Sequence, residues 1–369
     1  MLTYCTNIHP AESWTETLAN VRRYVPTVKA AVAPERPFPI GLRLSGRAAA
    51  EADAEAAAAF AGWCRENGCF VTTVNGFPHG AFHHVVVKEA VYLPDWRHPQ
   101  RLAYTRRLAE LLAGWLPPGK RGSISTVPIG FRKTVGSGEL PVALANLRRA
   151  LEYLEQLAQA TGKEISLAIE AEPGCLLETT GDLVEFFARL HLPEHLRPFL
   201  TVCYDCCHQA LQFENPAESL AQLAAHEIRI GHVQVSSALA LAQPDLSPMR
   251  RFVEPCYLHQ TVGRRSDGSL IRFDDLDQAL AAAPTEIAGV AEWRIHFHVP
   301  VFLDQHGDGA TTQTFLREIL PLFPADLPLE VETYTWTVLP PELRKAEVTE
   351  SIIREIKWVK ETRSKVPKV

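Results

Sequence analysis

The stretch Ile165-Ser166-Leu167-Ala168-Ile169-Glu170-Ala171-Glu172-Pro173-Gly174 shows the plan of the chain in miniature. A strand-sized run of apolar and small residues ends in an acid, and a Pro-Gly pair then breaks the regular backbone. Leu200 to Tyr204 runs in the same way into Asp205, with His208 three residues further on. Outward from these two segments, short apolar runs alternate with polar or Gly/Pro-bearing loops and helical stretches to both ends. Such alternation is the mark of a parallel α/β fold.

Strands are expected at Leu2 to Asn7, Phe38 to Leu44, Cys69 to Asn75, Ser123 to Ile129, Ile165 to Glu170, Leu200 to Asp205, Arg229 to Val235, Glu292 to Phe302 and Leu329 to Thr333. Helices are expected at Arg47 to Asn67, Gln100 to Trp115, Leu140 to Thr161, Pro216 to His226, Asp274 to Ala283, Thr311 to Leu320 and Pro341 to Thr362. These are nine strands where a closed parallel barrel has room for eight. The segment beginning at Ser123 or the one beginning at Glu292 therefore belongs to an insertion. Tyr257 to Phe273 reads as an appended hairpin turning at Ser266, Asp267 and Gly268. The expectation is a single domain over residues 1–369, with an insertion over 236–290 before the last strand.

The chain has 369 residues, 46% hydrophobic and 22% charged, ordinary for a globular protein and far from the disordered class. Its formal net charge is -6, which argues against a general binder of nucleic-acid backbone. Eight cysteines are too dilute for a disulfide scaffold, and Met1 to His9 has neither a basic nor a long apolar region. A cytoplasmic, reduced protein without a transmembrane segment is expected; the oligomeric state is left open.

The C-terminal ends of the strands carry the chemistry, because that rim is where a parallel barrel places its active site. Four of them end in possible ligands: Glu170, Asp205 with His208 beyond it, His232 and Glu332. Taken singly, each acid is as well explained as a helix cap or a solvated rim residue. Together they make a mixed oxygen and nitrogen set suited to Mn²⁺, Zn²⁺, Fe²⁺ or Co²⁺.

The motifs Ile169-Glu170-Ala171-Glu172-Pro173-Gly174, Tyr204-Asp205-Cys206-Cys207-His208, Gly231-His232-Val233-Gln234 and Glu330-Val331-Glu332-Thr333 resemble those of the xylose isomerase-like TIM barrels. That superfamily holds sugar isomerases, 3-epimerases and repair enzymes of the endonuclease IV type. The resemblance implies a (β/α)8 barrel with a divalent metal on Glu170, Asp205, His232 and Glu332, and His208 beside it. More narrowly, Tyr4-Cys5-Thr6-Asn7-Ile8-His9-Pro10 and Glu330-Val331-Glu332-Thr333-Tyr334-Thr335-Trp336 resemble the bacterial Ebo-type metabolite-traffic proteins, which implies a role in handling secondary-metabolite precursors.

An isomerase or epimerase reading makes Glu170 and Glu332 the catalytic pair. One takes a proton from the carbon beside a carbonyl and the other returns one. A multinuclear hydrolase of the endonuclease IV type is the alternative enzyme, and it draws His208 and His259 into the ligand set. Where that pattern has an Asp two residues before the His, however, this chain has Tyr257. A carrier that holds a metabolite without turning it over is the third reading.

Asn7, His9, Arg43, Asn75 and His298 are candidates for binding a small-molecule substrate, against the alternatives of surface, salt-bridge or turn roles. Arg132, Lys133, Arg250, Arg251, Arg264 and Arg265 fall in or near expected rim loops, where they could hold an anionic substrate. Cys203, Cys206 and Cys207 read as buried small hydrophobes, since no second pair lies at zinc-site spacing.

Overall fold

The computed structural model describes the chain except for residues 137, 308, 345 and 366–369. Eight parallel strands form its centre: β1 (Leu2–Tyr4), β2 (Phe38–Arg43), β3 (Cys69–Asn75), β4 (Gly122–Thr126), β5 (Ile165–Glu170), β6 (Leu200–Asp205), β7 (Ile230–Val235) and the last, Leu329–Val331. Each pairs with its neighbour in the ring, and a parallel bridge between Cys5 and Gly41 brings the two ends together, so that the barrel nearly closes. This is the (β/α)8 architecture expected from the alternation. A Cβ on Gly41 would lie 2.6 Å from the buried carboxyl of Glu330 across the barrel, so the seam needs a glycine.

The ninth expected strand, from Glu292, lies outside the barrel, whereas the Ser123 segment is β4. After β7 a single residue, Ser236, intervenes before the chain enters a six-stranded antiparallel sheet. Its strands are β8 (Ser237–Leu241), β9 (Thr261–Arg265), β10 (Leu270–Phe273), β11 (Val290–Val299), β12 (Gln305–His306) and β13 (Gly309–Thr311), in the order β10-β9-β11-β8-β13-β12. The barrel strand Leu329–Val331 is therefore β14. Because β8 leaves directly from the rim and β11 runs back antiparallel to it, the C-terminal end of β11 returns to the barrel mouth.

Helices cover the outside of the barrel, and two of them were not anticipated. Trp14–Val32 buries Trp14, Thr17, Val21, Val25, Val28 and Val32, an apolar stripe at helical spacing. Its β-branched valines and the internal Pro26 hide that stripe in the sequence. Thr180–Leu190 starts at a reciprocal capping box between Thr179 and Asp182. The single helix expected over Arg47 to Asn67 is two, Gly46–Glu51 and Ala54–Glu66, because Asp53 caps the second through Ala56 N. Among the described residues, no helix is long and apolar enough to cross a membrane.

Candidate metal centre

Glu170 ends β5, Asp205 ends β6, and Glu332 follows β14; the barrel brings one carboxylate oxygen of each within 4.8 Å of the others. All three are buried. His208 joins them from the short helix Cys206–Leu211, whose N-cap is Asp205: the Asp205 carboxylate accepts from His208 N at 3.0 Å. His296 and His298 come from the end of β11, where a spacing of two puts both rings on one face.

Each of the three rings has its Nδ1 facing an oxygen that can only accept. His208 Nδ1 lies 2.7 Å from Ala171 O, and His298 Nδ1 lies 3.1 Å from Glu332 O. His296 Nδ1 lies 2.7 Å from Gln260 Oε1, which must be the oxygen because Gln260 Nε2 donates to Tyr92 Oη and Pro173 O. In the tautomer that places the proton on Nδ1, each ring turns its Nε2 lone pair toward the cluster. Those lone pairs converge. His208 and His296 are 3.2 Å apart at Nε2, as are His296 and His298. His208 Nε2 is also 3.1 Å from Glu172 Oε2, and His298 Nε2 is 4.0 Å from Asp205 Oδ2.

Lone pairs and carboxylates crowded in this way need a positive charge among them. The buried atoms left without a partner here are acceptors as well: Asn7 Oδ1, Glu170 Oε2, Asp205 Oδ2 and Gln234 Oε1. Without a cation, burial pushes Glu170 up to about 8, against the pull of His208 and with further repulsion from Asp205 and Glu172. Burial likewise raises Glu172 and Glu332 well above the usual carboxylate range. Burial and the neighbouring His208 and His298 push His296 well below its ordinary value. A divalent ion would reverse each penalty at once. Two donor groups fit it, Glu170 with Asp205, Glu332 and the neighbouring His298, and Glu172 with His208 and His296.

His232 is not in this cluster. It sits two residues short of the rim on β7, paired in register with Cys203, with Nδ1 2.7 Å from Ser123 Oγ and Nε2 3.3 Å from Cys203 Sγ. Burial there pushes it down to about 3. The β7 side chain that does reach the rim is Gln234, which donates to Glu332 Oε1 at 3.1 Å. The expected ligand was thus one pleat too deep, and an imidazole is supplied by His298 instead.

Asn7 and Asn75 also donate to Glu332 Oε1, at 2.6 and 3.0 Å, and both line the cavity above the cluster. His259 lies behind the site rather than in it. Its Nδ1 bonds His296 O, its Nε2 bonds Glu254, and its ring stacks on Phe297. His9 stacks on Tyr24 with its Nε2 near Tyr4 Oη, outside the cavity. Arg43 is buried, held by Glu12, Ala11 O and Gly80 O with only Nε left unpartnered, and it does not line the cavity.

The rim cations do not gather at the cavity either. Arg132 pairs with Glu178, Lys133 with Asp274, Arg251 with Glu342 and Arg264 with Glu292. Cys203, Cys206 and Cys207 are buried with raised thiol values, burial being the main cause, and Cys207 Sγ lies beside His296 and His298.

Glu172 and His296 were visible in the sequence without being assigned as ligands. The signal that marks the histidines is the alternation His296-Phe297-His298 at a strand end; Glu172 stands two residues after Glu170, in the loop where β5 has ended.

The cavity is small, about 50 Å³. A segment after β3, carrying Phe82, Val87 and Tyr92, covers it. Phe82 and Val87 form a small apolar cluster with Tyr257 and Tyr334, separate from the main core.

Solved structures share this fold at low identity. An L-ribulose 3-epimerase aligns with 98% of this chain and 94% of its own at 11% identity and a TM-score of 0.54. The IOLI protein with a bound zinc atom aligns with 100% and 99% at 13% identity and a TM-score of 0.52. A D-tagatose 3-epimerase-like protein aligns with 98% of both chains at 13% identity and a TM-score of 0.50. Among curated proteins, none matches the chain by sequence. The family described as "Xylose isomerase-like TIM barrel" matches residues 41–300, most of the chain, and takes in the ends of β5 and β6, the rim of β7 and the paired histidines of β11. The chain therefore belongs to the xylose isomerase-like TIM barrels.

Proposed function

We propose that the protein is a metal-dependent isomerase or epimerase acting on a small hydroxy-carbonyl metabolite. The observation that carries this reading is the convergence of four buried carboxylates and three imidazoles at the rim of an epimerase-type barrel. Glu170, Asp205, Glu332 and His298 would hold the ion. When bound, it supplies Lewis-acid stabilisation of the negative charge that develops on the substrate oxygens.

The chain's own residues would move the proton. Glu170, with Oε2 unpartnered, and Glu332 approach the centre from different strands, so that one takes the proton beside the carbonyl while the other returns one. Asn7, Asn75 and Gln234 fix Glu332 through one oxygen and leave the other free to act. Zinc is supported by its presence in the IOLI protein, manganese, iron and cobalt by the donor types. Placement in secondary-metabolite precursor traffic, implied by the Ebo-like ends of the chain, belongs to the same proposal.

Metal analysis of purified protein together with proton exchange tests the reading. About one divalent ion per chain is expected, with solvent deuterium incorporated beside the carbonyl of a bound hydroxy-ketone. Binding without exchange would identify a carrier. The second donor group, Glu172, His208 and His296, favours a multinuclear hydrolase as the second reading; two or more ions per chain, with ester hydrolysis and no exchange, would establish it.

A further inference from the structure

Resting on the isomerase reading, the cavity wall identifies a class of substrate. We infer that the substrate is an uncharged α-hydroxy carbonyl compound whose remainder is apolar, rather than a free sugar or a sugar phosphate.

Two observations lead there. The first is the fate of the cations. Lys88 lines the cavity, but its ammonium group is held by Asp275 and Tyr257 O, and Arg43, which packs over the Phe82 ring, is held by Glu12 and two carbonyls. Among the described residues of the lining, no cation is left for a phosphate or carboxylate.

The second is the fate of the neutral donors. Asn7 and Asn75 donate to Glu332, Gln260 to Tyr92 Oη and Pro173 O, Tyr92 to Glu172, and Tyr257 to Phe82 O. The Tyr334 hydroxyl stands at 3.4 Å from His296 Nε2, at the metal end. What remains beyond the cluster is Phe77, Phe82, Val87, Val91 and Leu258.

A ketose has a hydroxyl on every carbon but the carbonyl one and would bury several of them against these side chains with no partner, which weakens binding. A compound with oxygens only on the two reacting carbons meets the ion and the unpartnered acceptors Asn7 Oδ1 and Glu170 Oε2 at one end, and apolar walls at the other. An enzyme discriminates by such unpaired groups far more than by apolar fit.

The test is a pair of four-carbon ketones with the same reacting oxygens, 1-hydroxy-2-butanone and L-erythrulose, given to the full chain loaded with zinc or manganese. Binding is read by ligand-observed NMR and deuterium exchange by proton NMR. The expected result is at least tenfold greater kcat/KM for exchange, and tighter binding, with 1-hydroxy-2-butanone. Val87→Thr, which exchanges a methyl for a hydroxyl at nearly constant volume, and Phe82→Ser should each reduce that ratio to within about threefold at unchanged metal content. Tyr257→Phe should preserve it.

Equal or better use of L-erythrulose, a ratio unmoved in both Val87→Thr and Phe82→Ser, or binding of neither ketone would overturn the inference. Selective binding of 1-hydroxy-2-butanone without exchange would leave the substrate class standing and sink the isomerase reading instead.

Discussion

Glu332 Oε1 accepts from three amides, of Asn7, Asn75 and Gln234, which come from three different parts of the barrel. Outer hydrogen bonds of this kind orient a ligand and usually influence metal affinity by about 10–100-fold. Asn75→Ala should therefore weaken zinc binding by about that factor, measured by competition with a chelator of known affinity, while Asp205→Ala should abolish it. His232→Gln should leave metal content unchanged, since its ring reaches Ser123 and Cys203 and no donor of the cluster. Loss of the ion in His232→Gln would restore β7 as a ligand strand. At this scale the sequence was legible for Glu170 and Asp205, because each ends an apolar run, and less so for Glu172 and Glu332, each of which has a second acid two residues away. It misled at His232, because a strand's last inward position is known only to within one pleat until its register with neighbours is seen.

Among the elements, β7 shows how closely the barrel interior is filled with hydroxyls instead of alkyl groups. A Cβ on Gly231 would meet Ser123 Oγ and Thr201 Oγ1 at 2.5 Å each. Gly231→Ala should cost about 1–3 kcal/mol, the range for overpacking a tight interior, readable as a lower denaturant midpoint at an unchanged slope.

The last helix, Val348–Ser364, is tied to both sheets by the fully buried Glu355, which accepts from Val301 N and Thr333 Oγ1 at 3.1 and 2.7 Å. Burial outweighs these bonds and raises its carboxyl from 4.5 to about 7. A raised carboxyl is bound as the neutral acid in the folded state, so its stabilising share is full below 4.5 and is lost as pH climbs through 7. Glu355→Gln should flatten the decline in melting temperature across that window and make the protein more stable than wild type at pH 8. A steeper decline in the variant would show that Glu355 is ionised in the fold. The helix itself was expected from Pro341 onward, although its regular part begins at Val348, while Trp14–Val32 escaped notice because β-branched valines and Pro26 are weak helix formers.

For the molecule as a whole, a net charge of -6 combines with rim cations of which Arg132, Lys133, Arg251 and Arg264 are already paired with acids and Arg265 is held by two backbone carbonyls. Displacing counterions from a nucleic-acid backbone takes several free Lys and Arg on one face. Binding to abasic duplex DNA at moderate salt should accordingly be no stronger than that of an unrelated acidic protein, as measured by fluorescence anisotropy. Tight, salt-sensitive and damage-specific binding would promote the hydrolase reading over the isomerase one. The parallel α/β plan could be read from the repeated alternation, although nine strands were expected where the barrel has eight and two of its helices were missed. The distribution of the donor set over two sheets could not, because nothing local to His296 and His298 says that β11 turns back to the rim.

That return of β11 also bears on which ion the site prefers. Stripped to its eight units, the barrel would offer four carboxylates and an amide beside a single imidazole, a predominantly hard, oxygen-rich pocket of the kind that suits magnesium or manganese. The two imidazoles on β11 soften it toward zinc, iron or cobalt. On the proposed reading, the antiparallel sheet would tune the choice of metal while every barrel strand stays as it is.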